Sequence, residues 1–212
     1  MTQQERVRYI IDELSRLYPE CRAELHFSNP FETLIATMLS AQCTDKRVNV
    51  VTESLFKDYP DAMAMASLSL EELEDRIKTC GLYHSKAKHI LEACRAIVKD
   101  YNGNIPTTRG ELTSLPGVGN KTAGVVVMEA YGQDVIPVDT HVFRLAHRMG
   151  LAPTARTADE TELQLSNIIP KGEKAHTHHL LILHGRRVCN AVKPKCDACP
   201  LHNTACDYTK EE

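Results

Sequence analysis

An all-α fold is predicted by three observations. Apolar residues recur at helical spacing almost throughout the chain. N-capping residues with a carboxylate three positions on stand before several of these runs. No stretch shows the sustained period-two alternation, bounded by hairpin signals, that strands require. Heptads, low-complexity tracts and repeats of solenoid length are absent as well.

Taken in chain order, Val7, Ile10, Ile11, Leu14, Leu17 and Tyr18 share one face of an opening helix. Asn29, Pro30 and Glu32 read as N-cap, first-turn proline and third-position glutamate of a helix that buries Phe31, Leu34, Ile35, Met38 and Leu39. Val48, Val51 and Leu55 mark the next. Ser69 with Glu72 forms a capping box before Leu70, Leu73 and Ile77, and Gly81 is placed to end that helix. Ala87, Ile90, Leu91, Cys94, Ile97 and Val98 repeat the pattern. Further boxes pair Thr108 with Glu111 and Thr157 with Glu160. Tyr101 to Thr107 and Gly132 to Val138 are the longest irregular segments expected.

The composition narrows the function class. The chain has 212 residues, 42% hydrophobic and 25% charged, with a net charge of −3. Those fractions exclude a largely disordered chain. No apolar run approaches the roughly 18 residues a membrane helix needs. The N-terminus, MTQQERVRYIIDELSR, carries charges where a secretory signal has an apolar stretch, so an intracellular, reducing compartment is expected. A mildly acidic chain is not an obvious nucleic-acid binder, which leaves local clustering to decide.

Three segments carry chemistry. In LPGVGNK, Leu115 to Lys121, Gly117 and Gly119 permit a tight turn whose amides point outward beside the positive end of the helix holding Ala123, Val126 and Val127. Thr122 stands where a dinucleotide fingerprint has its third glycine, and no strand precedes it. Two helices joined by such a turn hold a nucleic-acid phosphate in a helix-hairpin-helix, although a plain αα turn has the same local pattern. From the hairpin alone, Lys121 reads as a phosphate contact.

In IPVDTHVFRLAHRM, Asp139 precedes a helix that buries Val142, Leu145, Ala146 and Met149, with His141, Arg144 and Arg148 on another side. Asp139 reads there as an N-cap, which also fixes the orientation of its carboxylate.

The third segment is Cys189-x6-Cys196-x2-Cys199-x6-Cys206. Cys21, Cys43, Cys80 and Cys94 are scattered and read as buried small apolar residues. The four C-terminal cysteines point to metal ligation, and one Cys-x-x-Cys followed by Pro200 fits a [4Fe–4S] cluster better than the paired knuckles of zinc. No acidic residue lies between Glu173 and Asp197, while Lys174, Arg186, Arg187, Lys193 and Lys195 do. Lys193 and Lys195 sit in the arm between the first two cysteines, where a cluster would hold them against a phosphate backbone. Glu71, Glu72, Glu74 and Asp75 read as one helix's solvent face. His176, His178 and His179 are expected to cap or pack.

Together with NPFETLIATMLSAQCTD (Asn29 to Asp45), GLYHSKA (Gly81 to Ala87), VDTH and HHLLILHGRRVC, these features resemble the endonuclease III family of helix-hairpin-helix DNA glycosylases over nearly the whole chain. The resemblance implies two helical domains with a DNA-binding cleft between them: a six-helix barrel over 23–135, with the hairpin at about 110–131, and an iron–sulfur cluster domain of 1–22 plus 136–212. It implies a bifunctional glycosylase and abasic-site lyase of base excision repair, acting on oxidised pyrimidines in double-stranded DNA. Lys121 becomes the nucleophile, Asp139 its carboxylate partner, and Gln42, Leu82 and His141 the residues that probe the duplex. Gly117, Gly119, Lys193 and Lys195 become DNA contacts, and Cys189, Cys196, Cys199 and Cys206 the cluster ligands. Adenine-mismatch glycosylases share the cluster but lack this lysine. The expected enzyme is a cytoplasmic monomer, nucleoid-associated in a prokaryote, without a membrane partner.

Three positions depart from the family pattern: the last cysteine interval is six residues rather than five, Asn120 replaces a basic residue, and Gly124 replaces an asparagine. A lyase with a narrow glycosylase range, or a non-catalytic DNA-binding module with a structural metal, are the alternatives the residues leave open.

Overall fold

In a computed structural model the structure describes residues 1–208, and every regular element among them is helical. The chain divides into two compact units. One runs from Ala23 to Gln133; the other joins Met1–Arg22 to the chain from Asp134 onward. The change of unit between Gln133 and Asp134 has a local cause. The Gln133 side-chain amide donates to the Thr107 carbonyl at 2.9 Å, within the first unit. The Asp134 carboxylate accepts from the backbone of Gly172 at 2.7 Å and of Lys174 at 3.1 Å, within the second.

The Ala23–Gln133 unit holds α2 (Pro30–Ser40), α3 (Asp45–Asp58), α4 (Ala62–Ala66), α5 (Leu70–Ile77), α6 (Tyr83–Tyr101), α7 (Arg109–Thr113) and α8 (Asn120–Tyr131). Helices α2 and α8 pack on one another, and α4 and α5 pack on α6. From Thr33 to Leu39 every α2 side chain is buried, as is the α8 run Ala123–Met128. Helices apolar all round belong inside a domain, so the element that bears Lys121 and the element that leads into Gln42 form the unit's rigid centre.

The caps behave largely as their sequence predicts. Asn29 accepts from the Glu32 amide, and the Ser69–Glu72 and Thr108–Glu111 boxes close in both directions. Thr157 accepts from the Glu160 amide, but the Glu160 carboxylate accepts from the Arg156 amide, so that box closes by half. Two elements differ from expectation. Helix α4, five residues capped by Asp61, is too short to show periodicity. Helix α5 ends at Ile77 with Lys78 as C-cap, so Gly81 does not terminate it. A Cβ on Gly81 would lie 3.0 Å from the Gln42 carbonyl oxygen, so the glycine is there for a close approach of two backbones.

The second unit holds α1 (Gln3–Leu17), α9 (Thr140–Arg148), α10 (Ala158–Ile168) and α11 (Lys174–Arg187), with one 3-10 turn at Cys196–Ala198. Its core joins Val7, Ile10, Ile11 and Leu14 of α1 to Val142 and Leu145 of α9 and Leu180 and Leu181 of α11. The histidine group on α11 packs and caps: His176 pairs with the Ser15 hydroxyl at 2.9 Å and His178 with the Pro137 carbonyl at 2.8 Å. Among the described residues no helix is long and apolar enough to cross a membrane.

Candidate DNA-processing site

Within the Ala23–Gln133 unit the hairpin turn is built by glycine. Gly117 holds φ +74°, and a Cβ there would stand 2.5 Å from the His89 Cβ, so no other residue fits without displacing α6. Gly119 is the N-cap of α8, and no side chain caps the helix. The N-terminal end of α8 therefore turns the positive end of its dipole towards any anion that docks there. Arg109 braces the start of α8 by donating to the Asn120 carbonyl at 3.1 Å. Lys121 follows, exposed, in that first turn. Because it is exposed, desolvation of its amine can come only from a docked ligand.

Gln42 and Leu82 occupy neighbouring segments of the same unit. Both are exposed and both adopt left-handed backbone, with φ +52° and +59°. Each such non-glycine residue carries strain of about 1–2 kcal/mol, a feature that concentrates at functional sites. Gly81, against the Gln42 carbonyl, brings the two segments together. Cys80 and Cys94 fill the core as expected, whereas Cys21 and Cys43 are only partly buried. Burial pushes the Cys80 thiol up to about 11, and its hydrogen bond with Cys43 adds to the rise.

In the second unit Asp139 caps α9. Its Oδ1 accepts from the amides of His141 at 2.9 Å and Val142 at 2.8 Å. Both bonds fall on one oxygen, which fixes the carboxylate plane and turns Oδ2 away from the cap. The half-buried His141 ring receives Arg144 Nη2 on Nδ1 at 3.2 Å. Arginine only donates, so Nδ1 is the acceptor of this bond. Burial chiefly, with Arg144 and Arg186 adding, holds this imidazole below its ordinary pKa against the pull of Asp139. His141 is thus neutral at pH 7.

Cys189, Cys196, Cys199 and Cys206 lie in one segment and sense one another. Burial raises the thiols of Cys199 and Cys206, and the former also feels Cys206 and Cys189, the latter Cys189 and Cys196. No group of three or more His, Cys, Asp or Glu side chains among the described residues closes round a single ion. These four thiols are the residues able to hold a metal centre, since soft thiolates suit iron–sulfur and zinc chemistry. The six-residue last interval is absorbed by turns: Asn203 takes φ +62° while Leu201 and Ala205 anchor the loop in the core. Lys193 and Lys195 are exposed on the preceding arm, Lys193 with φ +52°, and the Lys195 amide donates to the Val188 carbonyl at 3.0 Å.

Sequence reasoning left Arg144 and Arg148 without a task. Arg144 donates through Nη2 to the carbonyls of Gly185 at 3.0 Å and Cys189 at 2.9 Å. Arg148 donates to the Asn190 carbonyl at 2.8 Å, the Ala191 carbonyl at 3.1 Å and the Cys189 sulfur at 3.3 Å. Two arginines four residues apart on α9 therefore staple the start of the cysteine loop. Their spacing was visible; their carbonyl targets, more than forty residues away, were not.

Residues 35–171 match the family described as HhH-GPD superfamily base excision DNA repair protein. The chain is 44% identical to endonuclease III of Bacillus subtilis (strain 168) over 197 residues, 93% of this chain and 90% of that protein. A structure of a trapped endonuclease III–DNA covalent intermediate superposes with TM-score 0.90 at 46% identity, covering 95% of this chain and 94% of that one. A non-covalent endonuclease III–DNA complex gives TM-score 0.92 at 45% identity, covering 97% and 96%.

Proposed function

We propose a reaction scheme from the premise that the chain belongs to the HhH-GPD superfamily of base excision DNA repair proteins and, within it, to the endonuclease III family. It is a DNA glycosylase with abasic-site lyase activity, and duplex DNA is its partner. Oxidised pyrimidines are the substrate class we assign to it, and chromosomal DNA in the cytoplasm its place of work.

A base inside a duplex is out of reach, so the nucleotide must leave the stack, at a cost of a few kcal/mol that is lowest for damaged, poorly stacked bases. Gln42 and Leu82, exposed and already in left-handed backbone, probe the duplex where that nucleotide departs, as does His141. The hairpin turn at Gly117–Gly119 and the N-terminal end of α8 take a backbone phosphate. Lys121, as the neutral amine, attacks the sugar C1′; the bond to the base breaks and the base leaves with a proton. Opening of the sugar ring gives a protonated Schiff base between Nζ and C1′. Loss of a 2′ proton then expels the 3′ phosphate by β-elimination, and water releases the lysine. Asp139, oriented by its cap, sets a carboxylate against the positive charge that develops on the sugar and assists proton transfer.

We assign Cys189, Cys196, Cys199 and Cys206 as the residues that would hold a [4Fe–4S] cluster. When bound, the cluster would anchor the Cys189–Cys206 loop, while the bond breaking rests on Lys121 and Asp139. Arg144 and Arg148 hold the loop's start, and Lys193 and Lys195 reach phosphates from its exposed arm.

The observation that carries the scheme is the place of Lys121, in the uncapped first turn of a hairpin helix, in a chain 46% identical to a protein trapped covalently on DNA. Borohydride reduction in the presence of a duplex with one abasic site is expected to give a covalent adduct, and Lys121→Ala none. No adduct from the intact protein overturns the lyase assignment. Duplexes each carrying thymine glycol, dihydrothymine, 5-hydroxycytosine or 8-oxoguanine define the glycosylase range, the first three being the expected substrates.

A further inference from the structure

Lys86 is a buried lysine, only 7% exposed, that the reaction does not use. Its ammonium donates to the Leu39 carbonyl at 2.8 Å, in the last turn of α2, where the helix dipole favours a cation. Its backbone amide donates to the Leu82 carbonyl at 3.0 Å. The backbone bond is the ordinary helical one of the α6 first turn, so it is the side chain that ties the helix starting at Leu82 to the chain three positions before Gln42.

The surroundings explain why such a costly group is kept. Leu82 starts α6 in left-handed backbone without any side-chain cap, and Gln42 lies just past the end of α2, also left-handed. At the α2 end the Cys43 amide donates to the Ser40 carbonyl at 3.1 Å. Between the two segments stand the Gly81–Gln42 backbone approach and the hydrogen-bonded Cys43 and Cys80 thiols, which also face the Lys86 ammonium. Burial lowers the basicity of Lys86, and the two thiols oppose that shift. Burying an ammonium costs several kcal/mol unless bonds are made in return. An apolar side chain would fill the same space without that cost, but it would remove the side-chain bond from α6 to the α2 end and leave the Gly81–Gln42 approach and the Cys43–Cys80 pair to join the two segments.

We propose that Lys86 is a positioning residue that holds Gln42 and Leu82 in register as a paired probe of duplex DNA. The proposal rests on the probing roles assigned to those two residues above.

The test compares one abasic-site oligonucleotide as duplex and as single strand, by single-turnover strand cleavage. A single strand needs no probe, so the ratio of the two rates reports the probe and is independent of the fraction of folded protein. Lys86→Met is expected to lower the duplex rate about tenfold or more, the loss typical of a hydrogen bond to a charged group, and to leave the single-strand rate unchanged. Lys86→Gln, whose amide can still donate to the Leu39 carbonyl, is expected to recover most of the duplex rate. Equal losses on both substrates, or no loss on the duplex, overturn the proposal. Gln42→Ala and Leu82→Ala separate the two levels. A duplex-selective loss in these with none in Lys86→Met refutes the role of Lys86, whereas no selective loss in either removes the probing roles on which it rests. Absence of cleavage by the unaltered protein refutes the lyase assignment itself.

Discussion

Asp139 holds two tasks that substitution can separate. As the cap of α9 it accepts the His141 and Val142 amides through Oδ1, at 2.9 and 2.8 Å. Asparagine retains a carbonyl oxygen in that place and ranks with aspartate as an N-cap, so Asp139→Asn loses only the charge term at a helix N-terminus, about 0.3–1 kcal/mol. Asp139→Ala loses the acceptor as well, about a further 1 kcal/mol. At about 2–4 °C per kcal/mol for a chain of this size, Tm falls by about 1–4 °C in the first and by about 3–8 °C in the second. The chemistry should not follow that order. Both variants remove the carboxylate that faces developing positive charge, a loss of about 10²- to 10⁴-fold in single-turnover rate. Thermal melts and cleavage of an abasic-site duplex, run on the same preparations, read both quantities. An Asp139→Asn protein with the unaltered rate refutes the catalytic assignment. One that melts as low as Asp139→Ala refutes the cap argument.

Three other expectations follow from geometry. Gly117→Ala combines a left-handed backbone with an overlap against His89, and a loss of about 2 kcal/mol or more is expected in urea denaturation. Gly119→Ala meets open space with ordinary φ and serves as the stability control, so equal losses at the two positions refute the turn argument. Lys193→Ala with Lys195→Ala is expected to flatten the dependence of log K on log salt for duplex binding by about 0.9 for each phosphate no longer neutralised; an unchanged slope removes both from the interface. Burial chiefly, with His176 adding, holds His179 at about 4 against an ordinary 6.5. Below pH 6.5 the unfolded chain takes up a proton that the folded chain refuses, so stability present above pH 6.5 is lost as pH falls towards 4, on the order of 3 kcal/mol in all. Denaturant titrations at pH 7 and pH 5 should show the decline and His179→Gln should reduce it; a flat profile in the unaltered protein refutes the assignment.

What was legible before folding shares a range of four or five residues. Capping boxes at Ser69 and Thr108, the Asn29 cap and the apolar faces of α1 and α6 depend on neighbours along the chain, and they stand as read but for Leu17, which is exposed at the end of α1. Gly81 was misread because its reason is a backbone on another segment. Four cysteines in one short stretch are conspicuous, whereas the arginines that fasten their loop act on carbonyls whose positions no spacing reveals.

The sequence by itself determined the helical class, the hairpin with its lysine, the Asp139 cap and the four-cysteine segment, since each is a matter of adjacent side chains and backbone. Tertiary structure alone decided that Lys121 is exposed, so that desolvation must come from what docks there. It also decided that Asp139 spends one oxygen on its cap, and that a buried lysine from α6 ends on the last turn of α2. The reason is physical: a cap or an apolar stripe gains its energy from residues a turn away, whereas a buried ammonium or a strained backbone is stable only when distant segments supply its partners.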